Sequence, residues 1–126
     1  VLTGNVTEFL DPIFSSGVMF ATVSSHLASK LVVQKLKGEQ VNWDEGYTKV
    51  IQQGVDTFRT YVMSWYDGTL EKIFFAKKPD LEIKRQICSV LAGYVWDQNN
   101  PYVRDHERAL KRLAKLIDVQ QRLETA

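Results

Sequence analysis

The chain has one cysteine, two histidines, three prolines and seven glycines among 126 residues, and each shortage removes a class of protein. A lone Cys88 closes no intrachain disulfide and builds no thiolate metal site, which fits a reducing, cytoplasmic setting. His26 and His106 stand far apart with no carboxylate at ligand spacing, so zinc or iron has little to bind to and no metal is expected. No run approaches the roughly 18 apolar residues of a membrane span, because the most apolar helix candidate is interrupted by Ser24, Ser25, His26, Ser29 and Lys30. An excess of one charge is missing too. Sixteen Lys and Arg against fifteen Asp and Glu leave a net charge of +1, and neither nucleic acid nor an acidic membrane is an expected partner. The HExxH, CxxC, GxSxG, Walker and GxGxxG patterns are all absent. With 44% hydrophobic and 25% charged residues, the composition is that of an ordinary globular domain with enough length for one core.

What is present begins with the stretch TGNVTEFLDPIFSSG, from Thr3 to Gly17. Turn-forming residues crowd it, and a long helix opens at Ser15 or Ser16. The first turn of a helix presents unpaired N–H groups and a partial positive charge, so this start suits an anion or an electron-rich ring edge. A Ser here is expected as an N-cap. As a nucleophile it would need a base, and only His26 or His106 could serve, so no catalytic residue is assigned. Val1-Leu2-Thr3 reads as the end of a buried strand entering a turn, which points to the C-terminal piece of a longer protein.

Helical periodicity accounts for the rest. Helix one is expected from Ser16 to Lys37, ended by Gly38, with an apolar stripe of Phe20, Val23, Leu27 and Leu31 flanked by Ala28 and Val32. Gly17, Ala21, Ser25 and Ser29 at i, i+4 spacing form a ridge of small residues that allows close approach of another backbone or a flat ligand. Asn42 and Glu45 form a capping pair for helix two, whose apolar face carries Tyr47, Val50, Ile51, Gly54, Phe58, Tyr61, Val62 and Trp65, as far as the turn at Asp67-Gly68. Thr69 is expected to cap a short segment through Ala76 with Ile73, Phe74 and Phe75 inside, broken by Lys77-Lys78-Pro79-Asp80. The next helix carries Ile83, Ile87, Val90, Leu91 and Tyr94, with Cys88 read as a small buried hydrophobe. Pro101 launches the last helix, with Val103, His106, Leu110, Leu113 and Ile117 inward and its basic residues on a solvated face.

At the opening loop the sequence becomes specific. Gly4-Asn5, then Phe9-Leu10-Asp11-Pro12, then Phe14-Ser15-Ser16-Gly17 before a helix of small residues, resembles the second flavin-binding motif of the flavin-dependent halogenase family and its oxidoreductase relatives. The match is tight from Val1 to Leu36 and looser beyond. The resemblance implies an all-α bundle of about four to five helices, the C-terminal part of a larger α/β FAD-binding protein. Residues 1–38 would end the FAD-binding region and 39–126 would form a C-terminal helical region, packed as one unit.

The same resemblance implies roles for individual residues. Asn5 would bond the ribityl or phosphate part of FAD, with Gly4 giving clearance, and Asp11 and Pro12 would shape the loop beside the ring. Amides at Ser16 and Gly17 would face the flavin's pyrimidine edge, and this pair also resembles the family's halide position. Tryptophan halogenases carry a Glu before Ser-Thr-Gly where this chain has Phe14, so the pattern looks more like the branch acting on carrier-bound or phenolic small-molecule substrates. A flavin reductase would be the partner of the full-length system, the aromatic helices would bound the substrate cavity, and the chain alone would be inactive. Apolar surface around Val1 to Phe20 predicts self-association, which light scattering measures. The alternative from the residues alone is a helical interaction module with no cofactor.

Overall fold

The computed structural model describes residues 1–6, 8–10, 14, 16–77 and 80–125. Six α-helices account for most of them: α1 (Ser16–Leu36), α2 (Lys49–Tyr66), α3 (Thr69–Phe74), α4 (Leu81–Leu91), α5 (Pro101–Arg104) and α6 (His106–Thr125). A 3-10 turn, Gly4–Val6, precedes α1, and a π-helical turn, Asp44–Thr48, leads into α2. Among the described residues there is no strand, so the all-α class read from periodicity is the class adopted, and Val1 to Thr3 run into the 3-10 turn without forming one. No described helix is long and apolar enough to cross a membrane. The chain divides into two compact units, Val1–Asp56 and Thr57–Ala126.

In the first unit α1 packs on the 3-10 turn and on the π turn. Its C-terminus closes as a Schellman motif, with the Gly38 N–H bonded to the Lys35 carbonyl and the Glu39 N–H to the Gln34 carbonyl, both at 3.1 Å. Gly38 has φ +84°, which a residue with a Cβ adopts only under strain. The Asn42 side chain caps the next helix, accepting from the Asp44 and Glu45 N–H groups at 3.1 and 3.2 Å. Glu45 does not complete the reciprocal half of the expected box through its side chain, since its carboxylate pairs with Lys49 one turn on. Among the described residues of this unit, Phe20, Ala28, Tyr47, Ile51 and Val55 are the buried apolar ones.

The expected ridge of small residues is corrected by the structure. Ser25 and Ser29 are exposed, whereas Ser24 and Ala28 are buried. At 3.6 residues per turn, a step of four advances about 40° around the helix and a step of seven returns to within about 20°. Gly17, Ala21, Ser24 and Ala28 therefore share one narrow face, and a strict i+4 series drifts off it.

In the second unit Phe58, Tyr61 and Val62 of α2 are buried, as are Leu70, Ile73, Ile87, Val90, Val95, Tyr102, Val103, Leu110 and Ile117. α3 packs on α6, and Lys72 reaches Asp118 across that contact at 2.8 Å. Asp80 caps α4, its carboxylate accepting from the Glu82 and Ile83 N–H groups at 2.9 and 3.2 Å. Lys78 and Pro79 of the expected breaker lie outside the described residues.

Several assignments change here for geometric reasons. Thr69 is the first residue of α3 and not its cap; the Asp67 carboxylate takes its N–H at 2.8 Å. Phe75, past the end of α3, is exposed. Cys88 is exposed, because one step from Ile87 turns it about 100° from the buried line of Ile87 and Val90. Tyr94 is exposed since α4 stops at Leu91 and Gly93, at φ +105°, turns the chain, so that Val95 is buried in its place. Trp65 and Val32 likewise stand at the surface. The last expected helix is two, α5 and α6, parted at Asp105 with φ −129° and ψ 44°; Asp suits this non-helical position, and its carbonyl accepts from the Ala109 N–H to start α6.

Tyr61 has its phenol buried with its O–H donated to the Tyr102 carbonyl at 2.8 Å. Burial, and secondarily Tyr102, pushes its pKa well above the ordinary value near 10. A folded-state pKa raised this way makes the contribution of Tyr61 to stability complete below about pH 10 and steadily lost above it, because the unfolded chain ionises first. Denaturant midpoints measured from about pH 8 to about pH 11 should fall less steeply for Tyr61→Phe than for the parent chain. Equal slopes would remove Tyr61 as the cause.

Candidate functional site

Gly4 begins the site with φ +68°, a backbone conformation that admits the turn of Gly4–Val6. Its N–H donates to the Ser24 hydroxyl at 2.9 Å, and that hydroxyl in turn donates to the Ala21 carbonyl at 3.2 Å. A Cβ placed on Gly4 would stand 3.3 Å from the Ala21 Cβ. One buried serine and one alanine thus hold the turn directly against α1.

That seating lays the next residue over the start of the helix. A Cβ on Gly17 would come 2.7 Å from Asn5 Oδ1 and 3.3 Å from Asn5 Nδ2, so the space a side chain would fill is occupied by the Asn5 carboxamide. Ser16 is buried and Gly17 half-buried, with Asn5 at the surface. The structure brings Gly4, Asn5, Ser16 and Gly17 into one cluster, from residues 11 positions apart in the chain at its closest ends, Asn5 and Ser16. Asp11 and Pro12, and Ser15 with them, lie outside the described residues. Phe14 is half-buried.

The chemistry of this cluster is recognition, not proton transfer. None of its four residues has a titratable side chain. The first turn of α1 contains no acidic residue, so its orphan N–H groups and positive dipole end face no competing carboxylate of their own helix. Beside them Asn5 offers two donors and an acceptor. A ligand with carbonyl, hydroxyl or phosphate oxygens suits such a surface, where the missing side chain of Gly17 seats the Asn5 carboxamide over the helix start. Among the described residues no group of His, Cys, Asp or Glu could hold a metal ion.

A second feature of the same unit is a pocket of about 470 Å³, lined by Val1, Leu2, Glu8, Trp43, Tyr47, Thr48, Ile51, Gln52 and Val55. Tyr47 donates its hydroxyl to the Leu2 carbonyl and so ties the N-terminal segment to the helix. Periodicity places Tyr47 and Ile51 on the inner face of helix two and carries no signal for Trp43 and Val55, because three regular four-residue steps drift about 120° and only the π turn Asp44–Thr48 takes up part of that drift. Val1, Leu2, Val6, Phe9 and Val18 are exposed apolar residues of this unit, as expected for this end of the chain.

No family model matches the chain. It is 29% identical over 112 residues to the 1H-pyrrole-2-carbonyl-(peptidyl-carrier protein) chlorinase of Pseudomonas fluorescens, a match covering 87% of this chain and 24% of that protein. Its fold superimposes on part of the crystal structure of a flavoprotein/dehydrogenase from Cytophaga hutchinsonii with a TM-score of 0.93 and 60% sequence identity, over 96% of this chain and 30% of that one. The chain therefore spans roughly a quarter to a third of the length of the proteins it matches.

Proposed function

We propose, given the similarity to part of a carrier-protein chlorinase and part of a flavoprotein/dehydrogenase, that this chain is the C-terminal portion of a flavin-dependent halogenase-like oxidoreductase and supplies the loop on the ring side of its flavin site. The observation that carries this reading is the Asn5 carboxamide lying over Gly17 at the start of α1. Asn5 would hold the ribityl or phosphate part of FAD, Gly4 would leave the backbone room, and Asp11 with Pro12 would shape the intervening loop. The amides of Ser16 and Gly17, at the positive end of α1, would stabilise negative charge on the pyrimidine edge of the ring. The same pair would receive a halide if the full-length enzyme halogenates, since a halide also seeks N–H donors and a hydroxyl.

The cluster fits such a group: it is uncharged and rich in donors, with the Asn5 carboxamide seated over Gly17. Reduced flavin supplies reactivity toward oxygen in enzymes of this kind, and the residues of this chain bind and orient. No side chain of the cluster moves a proton, and Phe14 stands where tryptophan halogenases carry a Glu. The activity of the whole protein is read as that of an FAD-dependent halogenase-like monooxygenase or oxidoreductase served by a flavin reductase. The name of the Pseudomonas relative supports a carrier-bound substrate. A cofactor-free helical module gains no support from similarity to a chlorinase and a flavoprotein.

The test is a segment exchange. The 126 residues replace the matched segment of the Cytophaga hutchinsonii flavoprotein, and flavin per protein is measured after gel filtration. The chimera should retain flavin, released as FAD, and its Asn5→Ala form should lose most of it, while the 126-residue chain alone leaves FAD fluorescence unchanged. A folded chimera without flavin, or one indifferent to Asn5→Ala, would overturn the reading. Dependence of product on chloride or bromide then separates halogenation from plain oxygenation.

A further inference from the structure

We propose that the exposed side of α6 in the second unit, together with a hollow that α6 forms with α3 and α4, docks an acidic amphipathic helix of a partner protein. The hollow holds about 180 Å³, below the range of about 300–1,000 Å³ of small-molecule sites, and Ile73, Ile83, Leu113, Leu116 and Ile117 give it apolar walls. It has the size for one or two protruding side chains. Its described polar lining groups are Asp80, Lys84 and Gln120. The Asp80 carboxylate is turned to the Glu82 and Ile83 N–H groups as the cap of α4, and Lys84 Nζ lies 5.8 Å from the centre of the Phe74 ring. One carboxylate and one ammonium leave the hollow itself without preference for either sign.

Beside the hollow α6 carries two stripes. At about 100° per residue, Arg108, Lys111, Arg112, Lys115 and Arg122 fall within about 100° of its circumference, and Leu116, Val119 and Leu123 within about 60° on the side nearer the hollow. All of them are exposed. A single exposed leucine needs no explanation, but three apolar residues at i, i+3 and i+7 that run into an apolar hollow form one continuous face. That spacing is the anchor pattern of helix-in-groove recognition.

The charges select the occupant. From His106 to Leu123 the only acids are Glu107 and Asp118, both on the edge of the basic stripe away from the leucines; Glu107 lies 4.0 Å from Lys111, and Asp118 pairs with Lys72 of α3. Arg108, Arg112 and Lys115 have no ion pair among the described residues. A helix with its apolar line on Leu116, Val119 and Leu123 brings its flanking positions over these three cations, where carboxylates find partners that no residue of this chain supplies. A second copy would set the same cations against themselves. A lipid surface is flat and has no knob for the hollow, and nucleic acid, whose interfaces are polar, has no use for the leucines. The net charge of +1 conceals this stripe, because it sums charges from every side of the molecule.

Docking here needs no flavin, so its failure leaves the flavin reading intact, and loss of flavin from the chimera leaves this face intact. The probe is a capped peptide of about 18 residues, with Leu at i, i+3, i+4 and i+7 spacing and Glu and Ala elsewhere, titrated into the 126-residue chain by calorimetry. A control peptide has Lys for every Glu. The Glu peptide is expected to bind saturably at one to one, at least about tenfold tighter than the Lys peptide, and to weaken severalfold as salt rises from about 0.05 M to about 0.5 M. The double change Arg112→Glu with Lys115→Glu should weaken it at least about tenfold, and Leu116→Ser at least about threefold, while circular dichroism and the melting temperature hold. Equal binding of the two peptides, or binding unchanged in both variants, would overturn the proposal. So would flotation with phosphatidylserine vesicles that the double change removes, which assigns the face to a membrane, or dimerisation of the chain that Leu116→Ser abolishes, which assigns it to a second copy.

Discussion

Gly17→Val in the flavoprotein chimera is expected to empty the flavin site and leave the fold in place. The Cβ of any residue at 17 would lie 2.7 Å from Asn5 Oδ1, closer than such atoms approach. The clash falls on the end of a flexible and exposed side chain, so the Asn5 carboxamide swings away and the backbone has no need to move. Glycine is a poorer helix residue than valine, so the intrinsic helix term, a few tenths of a kcal/mol, favours the variant and stability should change by less than about 1 kcal/mol. What is lost is binding. Two hydrogen bonds from a displaced carboxamide, at about 0.5–1.5 kcal/mol each, correspond to roughly a 10- to 100-fold weaker flavin. Val is preferred to Ala because its branch leaves the Asn5 carboxamide less room to stay. Flavin content near the parent value in a folded Gly17→Val chimera would show that Asn5 and Gly17 are neighbours without being a site.

Asn100→Ala is expected to cost the second unit about 2–4 kcal/mol, read from the denaturant midpoint at unchanged slope. Asn100 is 6% exposed and precedes Pro101, so it is the N-cap of α5. Its Oδ1 accepts from the Tyr102 N–H at 2.9 Å, and its Nδ2 donates to the Gln86 carbonyl at 2.9 Å and to the Ser89 hydroxyl at 3.1 Å. One side chain therefore caps α5 and ties it to the preceding helix, α4. Loss of a cap alone costs about 0.5–2 kcal/mol. The Gln86 C=O keeps the Ser89 hydroxyl at 2.7 Å and is not stranded, so what adds to the cap is the loss of the two bonds from Nδ2, at about 0.5–1.5 kcal/mol each. Asn100→Asp keeps the acceptor and loses both donors, so it should restore the cap and not the tie. A loss below about 1 kcal/mol for Asn100→Ala would mean that water replaces all three bonds.

The helix ends were legible because their causes are local. Asn42, Asp80 and Asn100 accept from N–H groups two or three residues on, and Gly38 turns the chain where a side chain would strain it. Such features depend on a few consecutive residues, which a sequence states directly. Asp105 shows the limit: the apolar stripe continues across it from Val103 to Leu110 and Ile117, so periodicity alone joins α5 to α6. The loop from Gly4 to Gly17 was legible as a composition and as a resemblance, and four of its described residues, Gly4, Asn5, Ser16 and Gly17, lie together.

The sequence by itself determined the helical class, most of the helix boundaries and the flavoprotein-like motif at its start. Only the tertiary structure decided that Ser24 and not Ser25 receives the Gly4 N–H, that Cys88 and Tyr94 face outward, and that Asn5 lies over Gly17. Helix periodicity names a stripe to within a residue or two, whereas a hydrogen bond or a missing Cβ selects one atom. That selection comes from how a distant turn settles on the helix, and it is here that the loop read from composition acquires its shape.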